Sequence, residues 1–424
     1  MPFQLPLTKT RFSDLLANTT FARLLAGRII TDAGDSLYYI GSMWLVYDLT
    51  GSTFYTGLAA ALLQVPNVLS FLVGPLIDRW DLRPILLGTQ LTNALGVLIV
   101  PLVATLGHLT VWWVLILMPI LDLINGFVYP AQNAALPKIV GSEQLTRANS
   151  MFTTSIRTVG MIANAVAGVL ISALGAIALF AIDATTFVLA GVLFLGVTTT
   201  NTTDDQSNTS DDATTDDSYL TDLRGGIAYV RGSALSVILL GMMLGNFVSV
   251  AVNVVLPAFA NSIGGPSVYG FLMAAMGAGN LAGAAVASYI EQYTVGQIAV
   301  GSNLTAGVFW IAAVMIPGSI PTMALLFGAV LPVGAFNVIY GSMYQSAVDD
   351  SLLGRVSSLT RTLSSVMMPL GGLVGGATAN VISSQGVLYI VGGTHIVLAV
   401  FYLSHPRIRS LPTVVDADEA ALGL

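Results

Sequence analysis

The sequence predicts an all-α membrane protein, with twelve transmembrane helices in two pseudo-symmetric six-helix bundles and both termini in the cytoplasm. Three observations carry this prediction. Hydrophobic residues make up 55% of the 424 positions and charged residues 9%, with a mean hydropathy of +0.81. Soluble domains carry about 25% charged residues, so this chain cannot cover a water-facing surface. Twelve apolar runs each approach the about 20 residues that a spanning helix needs. Finally, all 15 basic residues fall on one side of the implied membrane.

The runs cover 21–48, 54–77, 84–106, 110–133, 147–173 and 176–198, then 234–261, 267–290, 295–316, 320–346, 356–382 and 386–404. Lys9, Arg11, Arg23 and Arg28 lie before or within the first turns of the first run. Arg79 and Arg83 separate the second and third. Lys138, Arg147 and Arg157 lie between the fourth and fifth or early in the fifth. Arg224 and Arg231 precede the seventh, Arg355 and Arg361 open the eleventh, and Arg407 and Arg409 follow the twelfth. The alternate connections hold no basic residue. Positive charge marks the cytoplasmic side, which places both termini and the central segment there. A miscount by one helix would scatter the arginines over both faces.

The expected units are a first bundle over 1–198, an acidic cytoplasmic linker with an amphipathic helix over 199–232, a second bundle over 233–404 and a cytoplasmic tail over 405–424. Seven of the 22 acidic residues lie between Asp204 and Asp222. The segment from Thr198 to Ser218 has nothing apolar to bury and reads as a solvated, disordered spacer. After it, Leu220, Leu223, Ile227 and Val230 recur at helical spacing, as in a short helix lying on the inner membrane surface. The halves echo each other. Tyr129, Gln132, Arg147, Arg157 and Gly168 in the first correspond to Tyr344, Gln345, Arg355, Arg361 and Gly372 in the second. A duplicated unit of this kind places a substrate site near the bilayer midplane and works by rocking of the two halves.

Several function classes are excluded. The chain has no cysteine, and His108, His395 and His405 lie far apart, so no metal site is expected. No cofactor is expected either. No basic patch suits a nucleic acid. The residues from Met1 to Asn18 lack the apolar core of a signal peptide. The only lysines, Lys9 and Lys138, do not follow a phosphate-binding glycine loop, so ATP cannot drive this chain by itself. No nucleophile–base pair or output domain supports an enzyme or a sensor.

The remaining chemistry lies in charges within the apolar runs. Arg28, Asp32 and Asp35 are spaced by four and three, on one face of the first helix. Arg28 and Asp32 form an expected structural pair near the cytoplasmic side, and as an intramembrane charge Asp32 also reads as proton-linked. Asp35 lies near mid-helix. Asp122 is central in the fourth run, with Asn125 one turn on. Burial disfavours the charged form of a carboxylate unless a cation stands beside it, which is the property a proton carrier needs. Intramembrane ionisable residues are functional by default, so Asp35, Asp122 and Asp32 are the candidate proton-coupling groups.

The stretch Gly74-Pro75-Leu76-Ile77-Asp78-Arg79-Trp80-Asp81-Leu82-Arg83-Pro84 sets two aspartates and two arginines between apolar runs. At roughly 2.5–3.5 kcal/mol per charge in the bilayer centre, it must be a surface turn. It resembles the loop between helices 2 and 3 of the major facilitator superfamily, through Gly74, Leu76, Asp78, Arg79 and Arg83. Asp81 stands where a glycine is usual. Further stretches resemble the branch that contains macrolide-type and siderophore-type (enterobactin-like) exporters. They are Phe21–Leu25, Gly34-Asp35, Leu49–Ser52, Val65-Pro66, Tyr129–Ala131, Leu136-Pro137, Arg147–Ser150, Ile182–Phe187, Leu353–Val356 and Pro369–Gly372. Asn164 stands where many drug–proton antiporters carry a proline in helix 5.

The resemblance implies a gate formed by Gly74, Asp78, Arg79 and Arg83. It also implies a central cavity lined by helices 1, 4, 7 and 10, with 2, 5, 8 and 11 beside them. Candidate substrate contacts there are Tyr38, Tyr39, Gln64, Asn125, Phe247, Asn280, Phe336, Asn337 and Tyr340. Asp183, on the usually peripheral helix 6, is expected to be structural. The expected protein is a monomer of the cytoplasmic membrane that exports a small amphipathic organic compound against proton entry, in contact with lipid. The alternative is an uncoupled facilitator or importer of the same fold, or, further off, a non-transporting membrane sensor or enzyme.

Overall fold

The computed structural model describes residues 12–64, 66, 82–197, 229–348, 350–417 and 422. Regular structure among them is helical throughout. The helices are α1 (Phe12–Ala17), α2 (Thr19–Thr50), α3 (Thr53–Leu62), α4 (Leu82–Thr105), α5 (Val111–Asn125), α6 (Val128–Val140), α7 (Leu145–Leu174) and α8 (Ala176–Phe194). They continue with α9 (Ala234–Ile263), α10 (Pro266–Ile290), α11 (Val295–Met315), α12 (Ser319–Ala347), α13 (Asp350–Ser404) and α14 (Pro406–Arg409). Local chemistry sets several boundaries. The Asn18 side chain accepts from the Thr20 and Phe21 amides at 3.1 and 3.2 Å and opens α2. Gly51, at φ 62°, closes it in the left-handed region. Thr294 and Gln297 form a reciprocal capping box at the start of α11.

Among the described residues, nine stretches are long and apolar enough to cross a bilayer. The ten-residue α3 and the more charged α2 are not counted among them. Two differences from the sequence reading have physical causes. The run 110–133 is not one helix: α5 stops at Asn125, and α6 begins at Val128 after the turn Gly126-Phe127. Asn-Gly is a strong helix breaker, and Pro119 and Pro137 already thin the backbone hydrogen bonds on either side. The runs 356–382 and 386–404 are joined without a loop. One residue, Ser383 at φ 78° and ψ 163°, turns α13 back on itself. The acidic spacer, most of the amphipathic segment, and Gly74, Asp78 and Arg79 lie outside the described residues.

The helices pack as two groups. In the first, α2 lies against α7 and α8, and α4 against α8. In the second, α9 and α11 lie against α13, and α10 and α11 against α12. The groups meet along α3 with α13 and along α7 with α10. Small residues make this possible. A Cβ on Gly168 would come within 2.8 Å of Gly270, and the backbone of Gly57 lies against Gly372 and Gly376. Polar bonds lock the seam: Thr53 Oγ1 donates to Gly376 O at 2.9 Å, Thr56 Oγ1 donates to Val254 O at 3.0 Å, and the Ser172 and Ser267 hydroxyls lie 2.7 Å apart. Trp44 packs on the fully buried Tyr269 with ring centroids 6.0 Å apart. All of these contacts lie near the turns at Gly51, Gly175, Gly264 and Ser383, so this end is called the sealed end.

Candidate functional site

Below the seal, the two groups diverge around a cavity of about 1090 Å³. This is slightly above the about 300–1,000 Å³ typical of ligand pockets. Along one side α7 and α10 stay in contact as far as Met161 and Gly277, which both line the cavity. Arg157, on the cavity wall, sits 18 residues before the turn at Gly175, about 27 Å along a helix. Both groups line the space, but not with the same chemistry. Asp32, Asp35, Asp122, Arg157 and Asp183 all come from the first group. Among the described lining residues, the second group adds no acid, lysine or arginine.

The acids are held in order by hydrogen bonds. Arg28 pairs with Asp32 at 3.2 Å, one turn apart on α2. Asn125 Nδ2 donates to the Asp35 carboxylate at 3.3 and 3.4 Å, and its Oδ1 accepts from Asn93 Nδ2 at 2.7 Å. This relay joins α4, α5 and α2. It depends on Asn125 standing at the end of α5, where the helix breaks. Thr31 Oγ1 lies 3.2 Å from the buried Gln90, one turn from Asp35. The Gly34-Asp35 pair has a steric cause: a Cβ on Gly34 would collide with the Asp183 carboxylate and the Thr186 hydroxyl of α8. Glycine therefore lets Asp183 press against α2 beside Asp35. Thr186 Oγ1 donates to Asp183 Oδ1 at 3.1 Å, while Asp183 Oδ2, fully buried, has no partner among the described residues.

The structure sorts the sequence candidates as follows. Asp32, Asp35, Asp122, Tyr38, Tyr39, Asn125, Asn280, Phe336 and Asn337 line the cavity. Gln64, Phe247 and Tyr340 do not. Phe247 instead presents its backbone to Gly371 of α13. Tyr340 is buried and stacks on Tyr344, ring centroids 6.2 Å apart. Arg83 is exposed at the start of α4. Several wall residues were not singled out as site residues: Asn93, Arg157, Asn164, Asn303 and His395. Arg157 read as a topology marker because it sits early in its helix. It lines the cavity all the same. Asp183, expected to be structural, accepts a hydrogen bond from Thr186 and also lines the cavity.

The model of the transmembrane secretion effector family matches residues 10–421. Macrolide efflux protein A of Streptococcus pyogenes is 25% identical over 403 residues, covering 92% of this chain and 97% of that protein. The uncharacterized MFS-type transporter YvqJ of Bacillus subtilis is 26% identical over 401 residues, covering 91% and 93%. Among solved structures, the nucleoside transporter NupG superposes with a TM-score of 0.66 at 16% identity, covering 91% of this chain and 98% of that one. A bacterial homolog of the lysosomal transporter Spinster, inward-facing and occupied, gives 0.65 at 13% identity, covering 90% and 95%.

Proposed function

The chain belongs to the transmembrane secretion effector family of major facilitator transporters, and from that premise we propose that it exports a small amphipathic organic compound in exchange for protons. It is a multi-pass membrane transporter and not an enzyme. In our reading it has twelve spanning helices in two bundles, over 1–198 and 233–404, joined by the acidic segment 199–232. Both termini and the tail 405–424 are cytoplasmic, as the one-sided basic residues require. The sealed end then faces outward, and the cavity opens to the cytoplasm.

One observation carries the coupling mechanism: Asp35 sits at the wall of the cavity between the two groups, tied to Asn125 and Asn93. A carboxylate there exchanges protons with whichever side the cavity faces. Neutral, it leaves an apolar wall with scattered amides. Charged, it attracts a cationic or hydroxyl-rich solute and resists closure around an empty site. Asp122 and Asp32 share the wall and the same role. Tyr38, Tyr39, Asn125, Asn280, Phe336 and Asn337 contact the solute, and Gly74, Asp78, Arg79 and Arg83 gate the cytoplasmic end. The relatives named for macrolide efflux favour an amphipathic organic compound of the macrolide type. Binding energy released in one facing state and not the other is what shifts the equilibrium between them.

Proteoliposomes containing the purified protein test this with labelled erythromycin. Erythromycin should accumulate against its gradient when protons are offered from the opposite side. It should merely equilibrate when the pH gradient is collapsed. Equilibration at the same rate with and without the gradient would reject antiport and favour the uncoupled facilitator.

A further inference from the structure

The wall contributed by the second group holds a buried histidine that the coupling mechanism does not use. His395, on the last arm of α13, is 9% exposed and lines the cavity together with Asn303 of α11. The helices come together here because Gly307 and Gly392 cross backbone to backbone. A Cβ on Gly307 would lie 2.8 Å from Gly392 O, and one on Gly392 would lie 3.0 Å from Gly307 O. One turn away from that crossing on each helix, His395 Nδ1 and Asn303 Oδ1 lie 3.0 Å apart.

The hydrogen bonds fix which atom donates. Asn303 Nδ2 donates to Ala299 O at 2.9 Å, so the amide oxygen is the atom turned toward the imidazole. An amide oxygen only accepts. Nδ1 of His395 must therefore carry the proton, and in the neutral ring Nε2 is a bare lone pair. Nε2 makes no hydrogen bond among the described residues, yet the ring lies on the cavity wall. Nε2 is not sealed off and presents its lone pair to the cavity space. A ligand that closes over it without an O–H or N–H leaves it unpaired, at about 1–3 kcal/mol, and one bearing such a donor at that point does not.

We propose that His395, oriented by Asn303, is a specificity-determining subsite of the second bundle that accepts a hydrogen bond from a hydroxyl or protonated amine of the transported compound. This rests on the reading that the cavity holds that compound, and it adds a chemical requirement: the substrate must present a donor on the face opposite the acids. Sites that hydrogen-bond a substrate group discriminate strongly against analogues lacking it, because their own polar atom is then left unpaired.

Binding to the detergent-purified full-length chain tests this with two probes. Erythromycin carries several hydroxyls. Tetraphenylphosphonium is an apolar cation with no N–H or O–H. Substituting His395→Leu should weaken erythromycin about tenfold and leave tetraphenylphosphonium unchanged. His395→Gln, which keeps an acceptor, should restore much of the loss. Asn303→Leu, which frees the ring to change tautomer, should weaken erythromycin by a smaller factor with His395 intact. In ¹⁵N-histidine-labelled protein, His395 should report the Nδ1–H tautomer, and the Nε2 resonance should move on adding erythromycin and not on adding tetraphenylphosphonium. Equal weakening of both probes in His395→Leu, or erythromycin binding unchanged in it, overturns the subsite and leaves the proposed transport standing. Wild-type protein that binds neither probe overturns both.

Discussion

The two halves share one scaffold and divide the chemistry between them. Gly175, between α7 and α8, has φ 81° and ψ 159°, and Ser383, at the bend of α13, has φ 78° and ψ 163°. Counting from these matched turns, the eighth residue is Asp183 in one half and Val391 in the other. The twelfth is Phe187 in one and His395 in the other. All four line the cavity. The backbone has therefore kept both wall positions open to polar groups, and each half has filled a different one. The acids gather where Gly34 and Asn125 can hold them, and the neutral acceptor sits where Gly307 and Gly392 bring two helices into contact.

If this division is real, coupling defects should be confined to the first half. The largest effect is expected from Asp35→Asn. Positioned proton-transfer groups contribute about 10²–10⁴ in rate, so gradient-driven transport should fall about 100-fold while probe binding in detergent persists. His395→Gln should leave the pH-gradient dependence intact. A His395 variant that uncouples transport, or an Asp35→Asn variant that still concentrates erythromycin, would break the division.

A somewhat smaller effect is expected at the seam where the halves meet. Gly168 and Gly270 touch through their backbones, so Gly168→Leu forces the helices apart at an overpacking cost of about 1–3 kcal/mol. The sealed state should lose population about tenfold or more. The chain has no cysteine of its own, which makes the readout simple. Asn253→Cys, on the cavity wall below the seam, should react with an impermeant maleimide applied from the sealed side much faster in the Gly168→Leu background. Equal labelling in both backgrounds would mean that this seam is not the outer gate.

Third comes the relay. Hydrogen bonds to charged groups are worth about 1.5–3 kcal/mol. Asn125→Leu, which strips Asp35 of its donor, should reduce coupled transport about tenfold. Asn93→Ala, one bond further from the carboxylate, should cost less. Initial rates of gradient-driven uptake rank the three variants, and any order other than Asp35→Asn, then Asn125→Leu, then Asn93→Ala would show that the relay does not transmit.

These residues differ in how legible they were in the sequence, for physical reasons. A carboxylate inside an apolar run is conspicuous, because lipid tolerates it only where something satisfies it. Asp35 and Asp122 stand out on that ground. The fold class was legible for a similar reason, since hydropathy and one-sided basic residues both follow directly from bilayer energetics. Rotation about a helix axis is less visible. Phe247 and Tyr340 sit on helices expected to line the cavity, yet one turns its backbone to α13 and the other stacks on Tyr344. His395 and Asn303 were hidden for another reason. A histidine and an amide are unremarkable alone, and only the Gly307–Gly392 crossing, made between segments 85 residues apart, turns them into a pair. The break after Asn125 was legible in principle from Asn125-Gly126, but the apolar residues on both sides masked it.

The matched turns give the smallest and cleanest test. Gly175 adopts its conformation freely, whereas Ser383 adopts the same one with a Cβ, in a region that is essentially glycine-only and costs about 1–3 kcal/mol otherwise. Part of that cost is recovered: the Ser383 hydroxyl accepts from the Gly386 amide at 3.3 Å and caps the final arm of α13. Replacing a serine cap by glycine loses only a few tenths of a kcal/mol. The added freedom of the unfolded glycine takes back about 0.5–1 kcal/mol more. Ser383→Gly should therefore stabilise the protein by up to about 2 kcal/mol, read as a rise in the thermal unfolding midpoint in detergent. Gly175→Ser, which puts a Cβ into the other turn, should lower that midpoint by a comparable or larger amount. Opposite signs from the two substitutions would mean that the halves share this turn as a structural element. A destabilised Ser383→Gly would instead mean that the cap outweighs the backbone strain, and that the second half ends the first arm of α13 by a different balance of forces from the one that ends α7.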